Sequence, residues 1–416
     1  MWYAILKFWQ NNGFLFLMRA LIRIYIQKYH YAKIIKRLRK SQKNYPDYKI
    51  RICFLVNESA KWSVQFLYDE LEKHPHFYPC ILITLADIQR TLPEAEQDKE
   101  LQKNYDFFHN QGMHTEYAFD MKTRSYIALK YFSPDIVVYQ QPWGIHPGQD
   151  IQVTMSTALT VYFPYGIQCL ENPDNYLRCW HFLLWRYFVD LKFNIERFRK
   201  MHILYLWNCI YIGYPKLDAY HNCPCKKNNK RKTVIYAPHW SFGEYSSFPW
   251  SYKKILELAQ KYPDIDWIFK PHPTFRYALE QSQNMNRKEI DAYFSFWEKR
   301  GKVLSTGNYF QIFKDSDLMI TDSISFLGEY LLSGHPLIYM RNHDVPLAFN
   351  STGEKIISHY YSVSDEKALD FYFSRIMVKN EDPMRKKREK YAHCFSCNLP
   401  VSPKIISYLD ELLYIK

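Results

Sequence analysis

Short apolar runs alternate with amphipathic stretches after residue 46, and this pattern predicts alternating β-strands and α-helices. Runs that are apolar throughout are typical of strands buried on both faces of a parallel sheet. The predicted strands are Ile50–Val56, Cys80–Leu85, Asp135–Tyr139, Val161–Phe163, Thr233–Ala237, Trp267–Phe269, Leu318–Ile320 and Leu337–Met340. The predicted fold class is therefore α/β, with two Rossmann-like parallel-sheet domains that face a cleft.

Helical periodicity predicts several of the elements that connect these strands. The predicted helices are Lys61–Lys73, Leu170–Phe198, Tyr252–Tyr262, Ser325–Ser333 and Ser402–Leu413. Gly334 and Pro336 end the fourth of these helices, because glycine accepts the left-handed C-cap conformation and proline cannot continue a helix.

Changes in composition indicate where the domains begin and end. Residues 221–232 are polar, contain a proline and carry five basic residues, which is typical of a linker. We expect a basic segment at 1–46, a first domain at 47–220 and a second domain at 233–390. Residues 391–416 should hold a C-terminal helix that packs back on either domain.

Two residue types limit the possible chemistry. The chain has 12 glycines in 416 residues, and neither G-x-G-x-x-G nor G-x-x-x-x-G-K-[ST] occurs, so phosphate recognition must come from helix ends and side chains.

Nine cysteines without a secretory leader indicate a reducing, cytoplasmic location. Cys223-Pro224-Cys225 and Cys394-x-x-Cys397 would offer four thiolates, but C-x-C spacing is weak for zinc. Ordinary reduced thiols are the simpler interpretation, and no metal is expected.

The net charge of +13 is concentrated at one end of the chain. Residues 1–46 contain ten Lys and Arg and no Asp or Glu, so removing these ten leaves +3 for residues 47–416. A non-enzymatic protein that binds RNA or anionic lipid is one interpretation of the basicity. The near-neutral remainder and the lack of a recognised RNA-binding motif argue against a nucleic-acid partner.

The basic segment combines apolar and aromatic residues with Arg19 and Arg23. Its apolar run breaks at Arg19, well short of the ~20 residues needed to span a bilayer. One interpretation is an amphipathic helix in the headgroup plane, which would make an anionic membrane surface a partner of residues 1–46. The alternative is a helix packed on the protein body with a solvated basic face.

Polar residues follow two of the predicted strands in the second domain. Lys270–Pro273 comes after Trp267–Phe269, and Thr321–Ser325 comes after Leu318–Ile320. Ligands of open α/β sheets bind at the carboxyl ends of the strands, where helix N-termini can hold phosphate. Ser325 is therefore a candidate phosphate contact, and Glu329 could accept hydrogen bonds from two ribose hydroxyls. The alternative is helix capping by Asp322 or Ser323, with a solvated Glu329.

Three further segments contribute candidate residues. His272 is held rigidly between two prolines and can donate to a phosphate oxygen or protonate a leaving group, with Lys270 as a neighbouring cation. His239 and Trp240 follow Thr233–Ala237 at the same sheet edge, although the indole of Trp240 could instead be buried. Lys216 would be a second cation beside the cleft, or simply part of a tight turn.

These motifs resemble the CDP-glycerol:poly(glycerophosphate) glycerophosphotransferases, which build teichoic-acid-like polymers and capsules. The family's Y-A-P-T-W corresponds to residues 236–240, and its K/R-x-H-P to 270–273. Its T-D-Y-S-S-x-x-x-D-Y, followed by K-P, corresponds to 321–330 and 335–336. Its G-x-P-R-x-D corresponds to 213–218.

The resemblance implies a GT-B glycosyltransferase fold and a metal-independent, cofactor-free transfer from CDP-glycerol to a lipid-linked or glycan acceptor. The residues it assigns to the nucleotide-activated donor are Lys216, His239, Trp240, Lys270, His272, Ser323, Ser325 and Glu329. The family's H-G-T-P-L-K, whose His is the expected base, corresponds to residues 164–169, where Tyr165 replaces that His. Tyr165, His146, Glu58 and Glu171 are therefore the candidates for the base. Transfer of a sugar from a nucleotide-sugar is the alternative reaction.

Overall fold

The computed structural model describes residues 14–414, apart from 172–178, 202–206, 224–230, 241, 243–245, 283, 305–308 and 343–347. The described residues form two compact units. The first unit consists of Met1–Gly166, Asn172–Asp218 and Asn398–Lys416, and the second of Ile167–Glu171 and Ala219–Cys397. Most of the predicted linker lies outside the described residues.

The first unit is built on a seven-stranded parallel sheet in the order β3-β2-β1-β6-β7-β8-β9. Its strands are β1 (Ile50–Val56), β2 (Phe77–Ile83), β3 (Thr115–Tyr117), β6 (Ile136–Tyr139), β7 (Leu159–Tyr162), β8 (Arg186–Phe188) and β9 (Cys209–Ile210). A separate antiparallel pair is formed by β4 (Phe119–Asp120) and β5 (Ser125–Tyr126).

The second unit is built on a six-stranded parallel sheet in the order β12-β11-β10-β13-β14-β15. Its strands are β10 (Thr233–Ala237), β11 (Asp266–Phe269), β12 (Lys302–Val303), β13 (Leu318–Thr321), β14 (Leu337–Met340) and β15 (Tyr361–Val363). All five residues of β10 are buried, as the apolar run predicts for a central parallel strand.

Both sheets follow the strand order of a Rossmann fold. In each sheet the chain first moves outward over three strands and then returns to the other side of the first strand. The order therefore reverses between β1 and β6 in the first unit and between β10 and β13 in the second. Ligands of such sheets bind outside the carboxyl ends of the strands at this switch point. The predicted α/β class with two Rossmann-like parallel sheets is confirmed.

Helices connect the strands and cover both sheets. The α-helices among the described residues are α1 (Phe14–Asn44), α2 (Gln65–Lys73), α3 (Glu94–His109), α4 (Ile151–Thr154), α5 (Cys179–Leu183), α6 (Lys192–Met201), α7 (Asp218–Asn222), α8 (Phe248–Lys261), α9 (Phe275–Gln281), α10 (Arg287–Arg300), α11 (Phe310–Asp315), α12 (Leu327–Tyr330), α13 (Ser351–Ile357), α14 (Glu366–Phe373), α15 (Arg385–Ser396) and α16 (Ser402–Leu413). Short 3-10 turns at Ile324–Phe326 and Leu331–Ser333 flank α12. Gly334, at a φ of 73°, ends this predicted helix as expected.

One predicted helix is partly wrong. The aromatic stretch Leu170–Phe198 contains β8, which pairs in parallel with β7 and β9. The remainder contains α5 and the start of α6, while 172–178 lie outside the described residues. A three-residue buried strand in an aromatic run has no periodicity that separates it from a buried helix, so tertiary packing decides the outcome.

Residues Phe14–Asn44 of the basic segment form α1, whose inner face packs on the first unit. Ile24, Ile34 and Leu38 are buried along this face. The hydroxyl of Tyr31 lies 2.5 Å from Thr160 Oγ1 and donates to the Leu183 carbonyl oxygen at 2.5 Å. Tyr31, Ile34 and Leu38 thus belong to the core of the first unit. Within the described chain, α1 and every other helix are too short or too polar to cross a bilayer.

The Gly213–Asp218 motif holds the start of the C-terminal helix. Both carboxylate oxygens of Asp218 accept main-chain hydrogen bonds, from Val401 N at 2.6 Å and Ser402 N at 2.7 Å. Gly213 has a φ of 140°, and a Cβ at this position would come within 2.5 Å of Val401 Cγ2. The docking of α16 in the first unit therefore explains why this motif has a glycine at position 213 and a buried aspartate at position 218.

Replacing Asp218 by alanine should lower the free energy of unfolding of the first unit by about 2 kcal/mol, since two buried amides at the start of α16 lose their partner. Urea unfolding monitored by circular dichroism measures this change. Asp150→Ala is a matched control, because Asp150 caps α4 through one bond to Val153 N at 3.0 Å. Equal losses in the two variants would contradict the role assigned to Asp218.

Candidate functional site

Three loops that carry the candidate residues leave the same edge of the second sheet. Strand β10 leads into His239 and Trp240, β11 into Lys270–Pro273, and β13 into Asp322–Ser325. Because the three strands are parallel neighbours, their carboxyl ends meet at this edge. The strand order reverses between β10 and β13, so the switch point of the sheet lies among these three loops.

Asp322 joins the loops on both sides of the switch point. It is 1% exposed, and its Oδ1 accepts a hydrogen bond from His239 N at 2.5 Å. Its Oδ2 accepts from Ser247 N at 2.7 Å and Ser247 Oγ at 2.9 Å. Asp322 therefore ties the loop after β10 to the start of α8. The side chain of Ser323 makes no capping hydrogen bond, and the carboxylate of Asp322 is engaged by His239 and Ser247. Helix capping therefore does not explain the presence of Asp322 and Ser323 at this position.

His239 and Trp240 lie next to this clamp. Burial lowers the pKa of the His239 imidazole, and the nearby Asp322 carboxylate opposes the shift. His239 should therefore be neutral at pH 7 and act through hydrogen bonds. The indole of Trp240 is 43% exposed, so the alternative of a buried, structural tryptophan is wrong. Its ring centroid lies 5.9 Å from that of His239 and 5.8 Å from that of His272.

His272 is exposed and its ring orientation is fixed by its own loop. Thr274 N donates to His272 Nδ1 at 3.2 Å, and Thr274 Oγ1 lies 2.7 Å from the same nitrogen. Because Nδ1 accepts a main-chain hydrogen bond, the proton of the neutral imidazole sits on Nε2. His272 can therefore present an N–H donor to an oxyanion.

Lys270 is a buried cation beside His272. It is 7% exposed, and its Nζ lies 4.8 Å from the ring centroid of Tyr309 and 5.1 Å from that of Phe326. Phe326 belongs to the 3-10 turn that also contains Ser325. Lys270 thus lies beside the turn that carries the exposed Ser325.

The Glu329 carboxylate is 1% exposed and accepts a hydrogen bond from the Tyr309 hydroxyl at 2.5 Å. The interpretation of Glu329 as a solvated residue is therefore wrong. The hydroxyl group that Glu329 binds in this structure is that of Tyr309. Sequence reasoning missed Tyr309, which contacts both Glu329 and Lys270. It belongs to no motif, and its preceding residues, 305–308, lie outside the described chain.

The remaining candidates lie in the first unit, except for Glu171. Tyr165 and Glu58 are brought together by Lys61, whose Nζ is 2.6 Å from Glu58 Oε2 and 5.7 Å from the Tyr165 ring centroid. The Nζ of Lys216 donates to the Tyr165 carbonyl oxygen at 3.4 Å.

His146 makes a different set of contacts. Its Nδ1 accepts from Gly148 N at 3.1 Å, and its ring stacks on that of Tyr126 at 4.0 Å. Glu171 lies in the second unit, where its main-chain N–H donates to Ala348 O.

Two groups of residues bear on metal binding. Cys223 is half-buried, Cys394 and Cys397 are exposed, and residues 224 and 225 lie outside the described chain. His74, His76 and Asp410 have potential ligand atoms within 4.8 Å of one another. His76 immediately precedes β2, so this cluster lies at the amino edge of the first sheet, away from the carboxyl ends where the candidate residues lie.

Several solved structures share the fold of this chain, whereas no protein-family model and no curated protein matches it. The S. aureus MnaA–UDP structure has a TM-score of 0.58 and 12% identity, covering 88% of this chain and 98% of that one. A UDP-GlcNAc 2-epimerase from Neisseria meningitidis, bound to UDP-GlcNAc, has a TM-score of 0.55 and 14% identity, covering 87% and 100%. The wall teichoic acid polymerase TagF, in a structure with CDPG, has a TM-score of 0.55 and 14% identity, covering 94% and 98%.

At these identities the comparisons show a shared fold. The chain has the two-domain GT-B fold, which confirms the expected fold class. The similar structures include enzymes of more than one reaction type, so the reaction must be inferred from the site.

Proposed function

We propose that the protein belongs to the CDP-glycerol glycerophosphotransferases. In this proposal it transfers glycerol phosphate, or a related polyol phosphate, from a CDP-activated donor to a hydroxyl of a lipid-linked or surface glycan. The observation that supports it most is the meeting of Lys270, His272, His239 and the Ser323–Glu329 segment at the switch point of the second sheet. The wall teichoic acid polymerase TagF, solved with CDPG, is among the proteins with this fold.

The reaction follows from the chemistry of the donor. An acceptor hydroxyl attacks the β-phosphorus of CDP-glycerol and forms a new P–O bond. The bond between that phosphorus and the bridging oxygen breaks, so CMP leaves with the bonding electrons. Negative charge grows on the bridging oxygen and on the phosphoryl oxygens in the transition state. Fixed donors aimed at such oxygens usually supply the largest catalytic contribution.

The residues at the edge of the second sheet suit these roles. The Nε2–H of His272 would donate to a phosphoryl oxygen, and the buried Lys270 ammonium would offset the diphosphate charge. Ser325 would donate from the exposed turn, and the Trp240 ring would cover the nucleotide. Ser323 and His239 would complete the contacts beside the Asp322 clamp. Lys216 remains a proposed donor contact from the first unit.

Product analysis tests the reaction directly. Purified protein is incubated with CDP-glycerol, with CDP-ribitol or with UDP-sugars, with and without a lipid-linked disaccharide acceptor. Chromatography then identifies the nucleotide released. Acceptor-dependent CMP from CDP-glycerol is the expected result, whereas release of a nucleoside diphosphate from a UDP-sugar would show glycosyl transfer.

Glycosyl transfer is the second candidate, and Tyr165 favours it. A phenol is a poor base at neutral pH, so the residue at this position differs in kind from the histidine that the family resemblance leads one to expect. Several of the similar structures are those of UDP-GlcNAc 2-epimerases. Isomerisation of a UDP-sugar without any acceptor would therefore contradict both transferase proposals.

Replacing Glu329 by glutamine should weaken CDP binding by about tenfold, because a neutral amide is a poorer acceptor for a ribose hydroxyl than a carboxylate. Titration calorimetry measures the affinity. Tyr309→Phe is the matched variant, since it removes the hydroxyl that now binds Glu329. CDP affinity should rise or stay unchanged in Tyr309→Phe, and a loss as large as in Glu329→Gln would contradict the ribose contact.

We also propose that α1 rests on an anionic membrane, which would place the protein on the cytoplasmic face. The face of α1 opposite Tyr31 begins with exposed apolar and aromatic side chains, Ile22, Tyr25, Ile26 and Tyr29. Lys33, Lys36 and Lys40 continue the same face and are exposed. Apolar residues that enter the headgroup region, followed by cations that meet lipid phosphates, are typical of interfacial helices.

Changing Lys33, Lys36 and Lys40 together to glutamine should reduce binding to anionic vesicles by about 100-fold, at about 1 kcal/mol for each lysine. Sedimentation with phosphatidylglycerol-containing vesicles, compared with neutral ones, measures the partition. The control variant carries glutamine at Lys367, Lys386 and Lys390, which are exposed in the second unit. Equal binding by the two variants, or no preference of the wild type for anionic lipid, would rule out this surface.

A further inference from the structure

Two histidines and one aspartate meet at the amino edge of the first sheet. His74 and His76 belong to the loop between α2 and β2, and Asp410 lies in α16, 334 residues beyond His76. Each of the three residues offers one potential ligand atom, and these atoms lie within 4.8 Å of one another. All three residues belong to the first unit. The fold of this unit thus brings together metal-ligand types that no sequence motif connects.

The imidazole of His76 is held in one orientation. Its Nδ1 lies 2.5 Å from Asp410 Oδ1, and its ring stacks on that of Tyr414 with the centroids 3.4 Å apart. The ring of His74 meets that of His76 edge to face, with the centroids 5.1 Å apart. Pro75 stands between the two histidines and fixes its own φ, which restricts the loop further. Side chains that are already ordered lose little conformational entropy when a ligand binds.

Part of the hydrogen-bonding capacity of these side chains is not used by the protein. Among the described residues, neither Nε2 of His76 nor Oδ2 of Asp410 has a hydrogen-bond partner in the protein. The side chains of His76 and Asp410 are 28% and 27% exposed. An ion can therefore enter from solvent, while the stacked ring of Tyr414 covers one face of the site.

The ligand types indicate the kind of ion. Imidazole nitrogens and a carboxylate oxygen suit Zn²⁺ and the neighbouring divalent transition metals, whereas Ca²⁺ and Mg²⁺ prefer oxygen ligands throughout. A zinc ion about 2.1 Å from its ligands holds tetrahedral ligand atoms about 3.4 Å apart. Atoms within 4.8 Å of one another reach this spacing by small rotations of half-exposed side chains. Three protein ligands leave the fourth position to water.

We infer that His74, His76 and Asp410 bind a divalent transition-metal ion of the zinc type. The ion takes the place of the hydrogen between His76 Nδ1 and Asp410 Oδ1. The neutral His76 ring changes tautomer, so that its proton sits on Nε2 and the Nδ1 lone pair faces the ion. An imidazole nitrogen of His74 and a water molecule complete the coordination. This inference does not rest on the proposed function.

The ion joins the C-terminal helix to the body of the first unit. Asp218 holds the start of α16, and Asp410 lies near its end. Leu409 of α16 and Leu71 of α2 belong to the same hydrophobic core. A metal ion shared by α16 and the loop after α2 therefore stabilises the docked position of α16, because it binds only the folded arrangement.

Metal titration of the full chain tests this site without any enzymatic assay. The protein is dialysed against EDTA, and Zn²⁺ is then added during calorimetry and before thermal unfolding monitored by circular dichroism. One ion per chain should bind, and Zn²⁺ at 100 times Kd should raise the Tm of the first unit by about 5 °C. Co²⁺ in place of Zn²⁺ should give the visible absorption of a tetrahedral site without the near-ultraviolet band of a thiolate ligand.

Two variants in the site and two control variants locate the bound ion. Asp410→Asn keeps an oxygen that can accept from the His76 ring but removes the charge of the carboxylate. Asp410→Asn and His74→Asn should each weaken Zn²⁺ binding by about 100-fold and eliminate the rise in Tm. His114→Asn changes a histidine of the same unit that lies 3.1 Å from a single carboxylate. This control and the double variant Cys394→Ser/Cys397→Ser should bind Zn²⁺ as the wild type does.

The possible outcomes separate the site from other zinc ligands. Saturable binding that is lost in both site variants and kept in both controls would support the inference. No saturable binding by the wild type, unchanged affinity in Asp410→Asn, or loss of binding in the cysteine variant would overturn it. The Tm of each variant without metal shows whether the protein is folded, so misfolding is not mistaken for the loss of a ligand.

Discussion

Replacing His272 by asparagine is expected to lower kcat for CMP release by about 10²–10³-fold, the usual loss when one fixed donor to a developing oxyanion is removed. The imidazole is exposed and lies on a loop between two prolines, so the fold should not depend on it. Its Nδ1 accepts a hydrogen bond from Thr274 N, which leaves the proton of the neutral ring on Nε2. Steady-state kinetics with CDP-glycerol, together with CDP affinity from calorimetry, separates loss of catalysis from loss of binding.

Two variants control this experiment. Thr274→Val removes the hydroxyl next to Nδ1 but keeps the main-chain N–H, so His272 retains its tautomer and kcat should fall only slightly. His393→Asn changes a histidine in α15, outside the site, and should behave as the wild type. A His272→Asn protein with unchanged kcat would remove His272 from the mechanism.

The parts of the fold that the sequence predicts well are those where one physical effect dominates. Strands Ile50–Val56, Thr233–Ala237 and Leu337–Met340 have the predicted bounds, because short and largely apolar runs between polar residues are typical of strands buried in a parallel sheet. Helix Ser402–Leu413 is also confirmed at its predicted bounds. Short edge strands such as Tyr361–Val363 were not predicted, since three residues carry too little periodicity and form only when β14 offers its edge.

The candidate site likewise contains residues that the sequence predicts and residues that only the structure reveals. Parallel strands bring their carboxyl ends together, so Lys270, His272 and Ser325 could be assigned to one edge from their positions alone. Tyr309 could not be found this way, because it reaches Glu329 from the start of α11, a segment that carries no motif. The role of Asp322 was also hidden. A capping residue and a clamp between distant loops have the same local sequence, and only the partners in three dimensions distinguish them.

That clamp leads to the prediction with the largest effect on both stability and binding. In Asp322→Asn, one oxygen is replaced by an NH₂ group that faces the donors His239 N or Ser247 N. The new side-chain N–H then faces a main-chain N–H in the protein interior, and neither has an acceptor. The free energy of unfolding of the second unit should therefore fall by about 3 kcal/mol. CDP affinity should fall as well, because the loop that carries His239 and Trp240 is no longer held to the switch point.

Asp317→Asn separates these two effects. Asp317 precedes β13 at the opposite edge of the same sheet, where its Oδ2 accepts from Thr233 N at 2.8 Å. The variant should also lose stability, but its CDP affinity should match that of the wild type, since no nucleotide contact is proposed at the amino edge. Chemical unfolding and calorimetry of the two variants provide the comparison. If both lost stability and neither lost CDP affinity, Asp322 would support only the fold, and the nucleotide would have to bind away from the β10–β13 switch point.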